Sequence, residues 1–277
     1  MIARRTLLSS GAAFVLLPVA RAEGARLSFR GSFEQGGLVI GQTEPGASVL
    51  VNDKPVSLSP DGLFAFGLAY NSEKPQRVNA KYKDGTVENR EVLAIKRQYD
   101  IQSITGLPEK FVEPPPEIAK KIAHEHELIW TARQADTDGI GFSEPLDWPF
   151  AGRLSGIYGS QRILNGKPKE PHLAVDIAAP EGTPIRAPAG GIVSTTDDFQ
   201  LEGGFTLLDH GHGVSTCYLH QSKRLVKVGD AVRRGDIIGH VGMTGRATGP
   251  HCHWGLCWFQ LKLDPSRATR TPEPPKA

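Results

Sequence analysis

Two short patterns carry residues fit for metal chemistry. His172-Leu-Ala-Val-Asp176 sets an imidazole and a carboxylate four residues apart, and such a pair can share one ion whether the segment is helical or a tight loop. His251-Cys-His253 sets two imidazoles two residues apart. On a strand, successive side chains alternate faces, so His251 and His253 face one pocket with Cys252 and Trp254 behind them. In a third stretch, Thr216-Cys-Tyr-Leu-His220, the same alternation predicts Thr216, Tyr218 and His220 on one face. The three segments together exceed the three protein ligands and open position that a catalytic zinc needs. Zinc held in this way acidifies water and polarises an amide carbonyl, while a neighbouring imidazole accepts a proton and passes it to a leaving amine. Spacing alone does not divide ligands from catalysts, and it leaves open which of His251 and His253 binds metal.

Short strands must position these groups. The chain has 277 residues, a length that predicts two folded units. Residues 26–97 show brief alternating runs broken by Asn52-Asp53, Asp61-Gly62 and Asp84-Gly85, which are hairpin signals and predict an antiparallel sandwich. Residues 98–144 read as a connector: Glu113-Pro-Pro-Pro116 breaks regular structure, and Glu117 to Arg133 then follows helical spacing. His124 and His126 on that helix are two apart and point in different directions, so they do not hold a metal together. From 145 onward short strand candidates recur between Gly, Pro and Asp. Two Gly-Asp turns, in Val228-Gly-Asp-Ala-Val232 and Arg234-Gly-Asp-Ile-Ile238, form a quasi-repeat that predicts a small barrel-like sandwich.

The remaining composition bounds the setting. Arg4 and Arg5, an apolar run from Leu7 to Ala20 and Ala20-Arg21-Ala22 read as an export signal over 1–22, by either the Sec or the twin-arginine route. The run is too short to span a bilayer as a helix. Removing it takes away three arginines and no acid, so the net charge of +2 becomes −1, which gives no electrostatic case for nucleic acid. Cys217, Cys252 and Cys257 are odd in number and lack CxxC spacing; they read as buried small residues, with a Cys217–Cys252 bridge as an alternative if their strands are neighbours.

The residues quoted above also resemble a known family, the lysostaphin and LytM-type zinc endopeptidases of family M23. The likeness rests on His172-Leu-Ala-Val-Asp-Ile-Ala-Ala-Pro-Glu-Gly-Thr-Pro184, Thr216-Cys-Tyr-Leu-His220, the Gly-Asp repeat up to Gly239, and Gly242-Met-Thr-Gly-Arg-Ala-Thr-Gly-Pro-His-Cys-His253. These stand in the family's order and spacing over about residues 145–265. The resemblance implies Zn2+ held by His172, Asp176 and His253, with His220 and His251 as unligated catalytic histidines. It implies hydrolysis of the peptide stems of peptidoglycan, in the periplasm or cell envelope. Ala174 and Gly255 depart from the family, which usually has glycine and often an acidic residue there. Arg162 resembles a family position ahead of the first ligand and reads equally as an ion-pair partner or a substrate contact.

The expected fold is therefore mainly β. It comprises a sandwich over 26–97 resembling bacterial immunoglobulin-like domains, a connector with one helix over 98–144, an antiparallel barrel-sandwich of the duplicated-hybrid kind over 145–265, and a flexible tail over 266–277. Two rival functions use the same residues. An inactive M23-like regulator of another wall hydrolase would have lost ligands, and here every position is filled. A biotinyl or lipoyl carrier needs a lysine at a hairpin tip, and Met243 is followed by Thr244.

Overall fold

The computed structural model describes residues 26–106, 108, 109 and 112–276, and the expected export segment lies outside them. In the first half, one antiparallel sheet orders Ser28–Gly31, Leu38–Gln42 and Leu63–Gly67. A second orders Lys54–Val56, Ser48–Val51, Gln76–Lys81 and Val87–Val92. Asn52 and Asp53 both take left-handed backbone, with φ of 49° and 65°, as a two-residue hairpin requires. Val39, Phe64 and Phe66 of the first sheet meet Val49, Val51, Val78 and Ala80 of the second, which makes this half a β-sandwich.

The first sheet has a second buried face. Leu38, Ile40 and Ala65 alternate with the residues just named and join a core that includes Tyr158, Val175 and Leu263 from the other half. Leu38-Val39-Ile40 is consequently buried throughout, the pattern of a strand covered on both sides. Arg97 fastens the same junction, donating from Nη1 to the buried Asp264 Oδ2 at 2.8 Å. A core shared between halves predicts one cooperative transition in calorimetry; two resolved peaks would contradict it.

The second half is two-layered. Its large antiparallel sheet runs Ala231–Val232, Gly191–Phe199, Gly203–Asp209, Val214–Gln221, His251–Trp258, Val175–Ala178 and Arg153–Gly156 in spatial order. A small sheet of Pro184–Arg186, Ile237–His240 and Lys223–Arg224 packs on it through Ile185 and Ile238, against Val193, Leu208 and Trp254. The expected barrel-like sandwich takes the form of two packed open sheets: both ends of the large sheet stay open, and no sheet closes among the described residues. The Gly-Asp turns give the reason. Asp230 and Asp236 each accept from the backbone three residues earlier, at 2.9 and 2.8 Å. Each tight turn delivers only a short strand, the first to the large sheet and the second to the small one.

The connector holds the expected helix as Pro116–Ala132, with proline opening the first turn. It buries Ile122, Glu125 and Ile129. Glu125 Oε2 accepts from Gln200 N at 2.8 Å, and His126 Nε2 lies 3.2 Å from Glu202 Oε1, so the helix grips the turn at 200–202. His124 stays on the solvent side. The connector also supplies a strand, Ile101–Ile104, which pairs in parallel with Gln161–Leu164. The terminal stretch expected as a tail lies along residues 146–152, with Leu146 N donating to Ala268 O at 2.8 Å and Gly152 N to Pro275 O at 3.0 Å. Among the described residues, no helix is long and apolar enough to cross a membrane.

Candidate active site

Asp176 and His253 stand directly opposite each other on the neighbouring strands Val175–Ala178 and His251–Trp258, so their side chains share a face. His172 comes from the loop before the first of these strands. Its N–H donates to Ser160 O at 2.8 Å and its carbonyl accepts from Gly159 N at 2.7 Å, which fixes the ring's direction. The outcome is a triangle of side-chain atoms. His253 Nδ1 lies 2.9 Å from Asp176 Oδ1, His172 Nε2 lies 3.1 Å from the same oxygen, and the two nitrogens are 3.0 Å apart. Tetrahedral ligands at about 2.0–2.1 Å from zinc stand roughly 3.3 Å from one another, so shifts of a few tenths of an ångström would let all three share an ion. The cluster does not satisfy itself: His172 Nδ1 is buried without a hydrogen-bond partner among the described residues, and two imidazole nitrogens converge on one oxygen. Two nitrogens and a carboxylate form a donor set that fits zinc.

Burial alone would raise the Asp176 carboxyl, yet His172 and His253 hold it well below the usual carboxylate range. Its other oxygen, Oδ2, accepts from Arg162 Nη2 at 3.0 Å, leaving Oδ1 to the imidazoles. Burial pushes His253 down to about 3 against the pull of Asp176. It also pushes His220 down to about 4, with the nearby His251 adding to the shift. Both rings are therefore neutral near pH 7. Groups with folded values below their ordinary 6.5 resist protonation only in the folded state, so the unfolded chain binds more protons in that window. The metal-free protein should lose stability as pH falls from 6.5 toward 4 and below, with His220 contributing on the order of 3 kcal/mol over its window. Above 6.5 these two groups leave stability unchanged. Denaturant midpoints between pH 7.5 and 4.5 check the sign, and a rise in stability on acidification would contradict it.

Alternation fails at His220. The strand register pairs Tyr218 with Trp254 and Leu219 with His253, so even-numbered residues of Val214–Gln221 belong to the core face. Thr216 and Tyr218 lie there, fully buried and 2.8 Å apart through their hydroxyls. The expectation that His220 shares their face is corrected by its own backbone. Its φ is +65°, a left-handed conformation that costs roughly 1–2 kcal/mol and turns the imidazole toward the site. Its ring centroid stands 4.7 Å from that of His251 and 6.2 Å from that of His253. His220 Nδ1 donates to Thr244 O and His251 Nδ1 to Gly249 O, each at 2.8 Å. For His220, neutral near pH 7, that leaves the lone pair on Nε2; in His251 the same contact leaves Nε2 facing the site.

The same register settles the cysteines. Cys217 stands opposite Gly255 and packs beneath the helix with Ile129, whereas Cys252 lies in the main core with Trp254. They are on opposite faces, and all three thiols are free, so the alternative Cys217–Cys252 bridge is excluded. A Cβ at Gly255 would come 2.7 Å from Cys217 Sγ, which accounts for glycine there. His210 and His212 stay apart from the site. His210 bonds Gly190 O and Thr216 Oγ1, both at 2.8 Å, and His212 Nδ1 donates to Ser57 O at 2.9 Å across the junction of the halves.

Spacing gave no sign of Gly156. It faces Asp176 across the sheet, and a Cβ there would lie 2.3 Å from Asp176 Oδ2 and 2.9 Å from His172 Cε1. Only glycine leaves the carboxylate its place. A lone glycine within a strand pattern is the signal that could have marked it. The site opens into a groove of about 340 Å³ lined by Asp176, His220, His251, Arg153, Arg162 and Arg246, with Gln102 and Ile104 of the connector strand on one wall.

Residues 170–265 match peptidase family M23. The peptidoglycan DD-endopeptidase ShyC of Vibrio cholerae is 37% identical over 135 residues, which are 48% of this chain and 29% of that protein. ShyA, a peptidoglycan DD-endopeptidase of the same organism, is 45% identical over 105 residues, 38% of this chain and 24% of that protein. The chain thus spans less than a third of the length of either relative. A solved Pseudomonas aeruginosa chain assigned to peptidase M23 shares its fold with a TM-score of 0.65 at 28% identity, covering 85% of this chain and 94% of that one. The structural likeness therefore extends into the N-terminal half. Five candidate site residues, His172, Asp176, His220, His251 and His253, lie inside the stretch that matches peptidase family M23, and the mainly β architecture around them is shared with that solved chain.

Proposed function

We propose that this chain is a zinc-dependent endopeptidase that hydrolyses peptide cross-links of peptidoglycan in the bacterial envelope. The observation that carries the reading is the triangle of His172 Nε2, Asp176 Oδ1 and His253 Nδ1, whose ligand atoms all lie within 4.8 Å of one another. These three residues hold the metal. Bound there, zinc supplies Lewis acidity toward a scissile carbonyl and toward water. His220 enters the reaction neutral with its lone pair on Nε2, so it takes the proton released as water attacks. Carrying that proton, it becomes the donor for the departing amine. His251, held by Gly249 O and with its ring tilted against that of His220, is the second proton-handling group, placed beside the developing oxyanion. Arg162 takes no proton; it holds Asp176 Oδ2 so that Oδ1 keeps facing the two imidazoles. The substrate class comes from the relatives named as peptidoglycan DD-endopeptidases, and such a substrate puts the reaction in the periplasm or the envelope at large. A complete ligand set gives no support to the rival reading of an inactive regulator.

The test is digestion of purified sacculi by the zinc-loaded chain, with released fragments identified by mass. Soluble peptide fragments that vanish on chelation and return with added zinc are the expected result. Intact sacculi after treatment with protein holding one zinc per chain would refute the hydrolase reading.

A further inference from the structure

His220 holds a costly left-handed backbone beside the ligand triangle, and such a residue persists only where its surroundings over-determine it. Two bonds fix it. Its N–H donates to Glu202 O at 2.8 Å, and its Nδ1 donates to Thr244 O, also at 2.8 Å. Both lead to one place, the turn at 200–202 that joins the strands Gly191–Phe199 and Gly203–Asp209. Thr244 Oγ1 accepts from Gly204 N at 2.9 Å, and Arg246 N donates to Leu201 O at 2.8 Å. A Cβ at Gly203 would collide with Thr244, and one at Gly245 with Leu201 O. The turn and the loop that carries Thr244 therefore pack directly on each other.

A hairpin turn is ordinarily among the looser parts of a sheet. This one is clamped from outside by the helix Pro116–Ala132. Glu125 is buried, and its Oε2 accepts from Gln200 N at 2.8 Å. Burying a carboxylate is costly, but a charge-assisted bond to a backbone N–H is roughly twice as strong as a neutral one, so the arrangement favours grip. One residue further along the helix, His126 Nε2 lies 3.2 Å from Glu202 Oε1. Glu202 thus meets the helix with its carboxylate and His220 with its carbonyl. Ile129 completes the clamp against Phe199 and Phe205. We propose that the helix places His220 for proton transfer by gripping this turn, with Glu125 and Glu202 as the positioning residues. This rests on the hydrolase reading for its effect on rate, but the placement of the ring is measurable without turnover.

The test compares Glu125→Ala with Glu125→Gln, which keeps an acceptor for Gln200 N. In zinc-loaded protein with isotope-labelled histidine, the hydrogen-bonded Nδ1–H of His220 gives a proton resonance, identified by its loss in His220→Ala. Glu125→Ala should weaken or shift that resonance. It should also lower kcat on a soluble cross-linked muropeptide by about tenfold or more, the scale of a displaced catalytic group, with KM and zinc content at the parental level. Glu125→Gln should restore the resonance and most of the rate. His126→Ala, a change at an exposed side chain, should move the same resonance in the same direction with a smaller loss of rate. An unchanged resonance in either folded alanine variant, an equal loss in Glu125→Gln, or zinc falling in step with kcat would overturn the positioning role. Absence of turnover in the parent, with the resonance moving as expected, would instead overturn only the hydrolase reading.

Discussion

A His253→Ala chain is expected to retain almost no zinc and to release peptide fragments at least about a thousandfold more slowly than the parent. Two ligands would remain where three are the minimum for a catalytic zinc, and His253 closes the triangle against both of the others. Its Nδ1 lies 2.9 Å from Asp176 and 3.0 Å from His172. Equilibrium dialysis against buffered zinc, followed by metal analysis, reads the first effect, and mass analysis of sacculus digests reads the second. Asp176→Asn makes a companion with a different signature. It keeps the shape but removes the anion that Arg162 faces, leaving a largely buried guanidinium unpaired, so it should lose stability as well as metal. Parent-like zinc content in the His253→Ala chain would mean that the triangle is not the metal site.

His220→Ala should separate chemistry from binding. Zinc content is expected to stay at the parental level, with kcat lower by about 10²–10⁴-fold, the range for a lost general acid–base group, and KM little changed. The reason is positional. His220 is held by Thr244 O at its Nδ1 and stands nearer to the His251 ring than to that of His253, so it is outside the ligand triangle but next to it. His220→Gly should match it in activity while relieving the left-handed backbone, and it should be the more stable of the two variants. If zinc falls in step with rate in both, His220 is a ligand and the division of roles drawn here is wrong.

Much of this site was legible in the sequence because strands repeat every two residues. HxH placed His251 and His253 together, and the register then put Asp176 directly across from His253. The helix was equally legible, since Ile122 and Ile129 are seven apart and both buried. What alternation cannot see is a residue that leaves the strand conformation. His220 does so at φ +65°, and the expected grouping with Tyr218 failed for that reason. Nor does spacing show pairing between distant strands. Alternation put Cys217 and Cys252 each behind the site histidine of its own strand, whereas the register sets even residues against even ones and so parts them. The turn chemistry pointed to a sandwich of short strands but not to its division: Asp230 and Asp236 close tight turns, and the strands after them enter different sheets. Gly156 was missed because its contribution is the absence of a side chain.

The sheet of Ser28–Gly31, Leu38–Gln42 and Leu63–Gly67, with one face in each half's core, bears on how the groove meets its surroundings. A first half joined only through a tether would let the groove search many directions around a fixed point. Here Leu38, Ile40 and Ala65 are packed among residues of the second half, so the two move as one solid piece. Anything that holds the first half also aims the groove, and a lattice of strands could be approached only at the tilt that this piece allows.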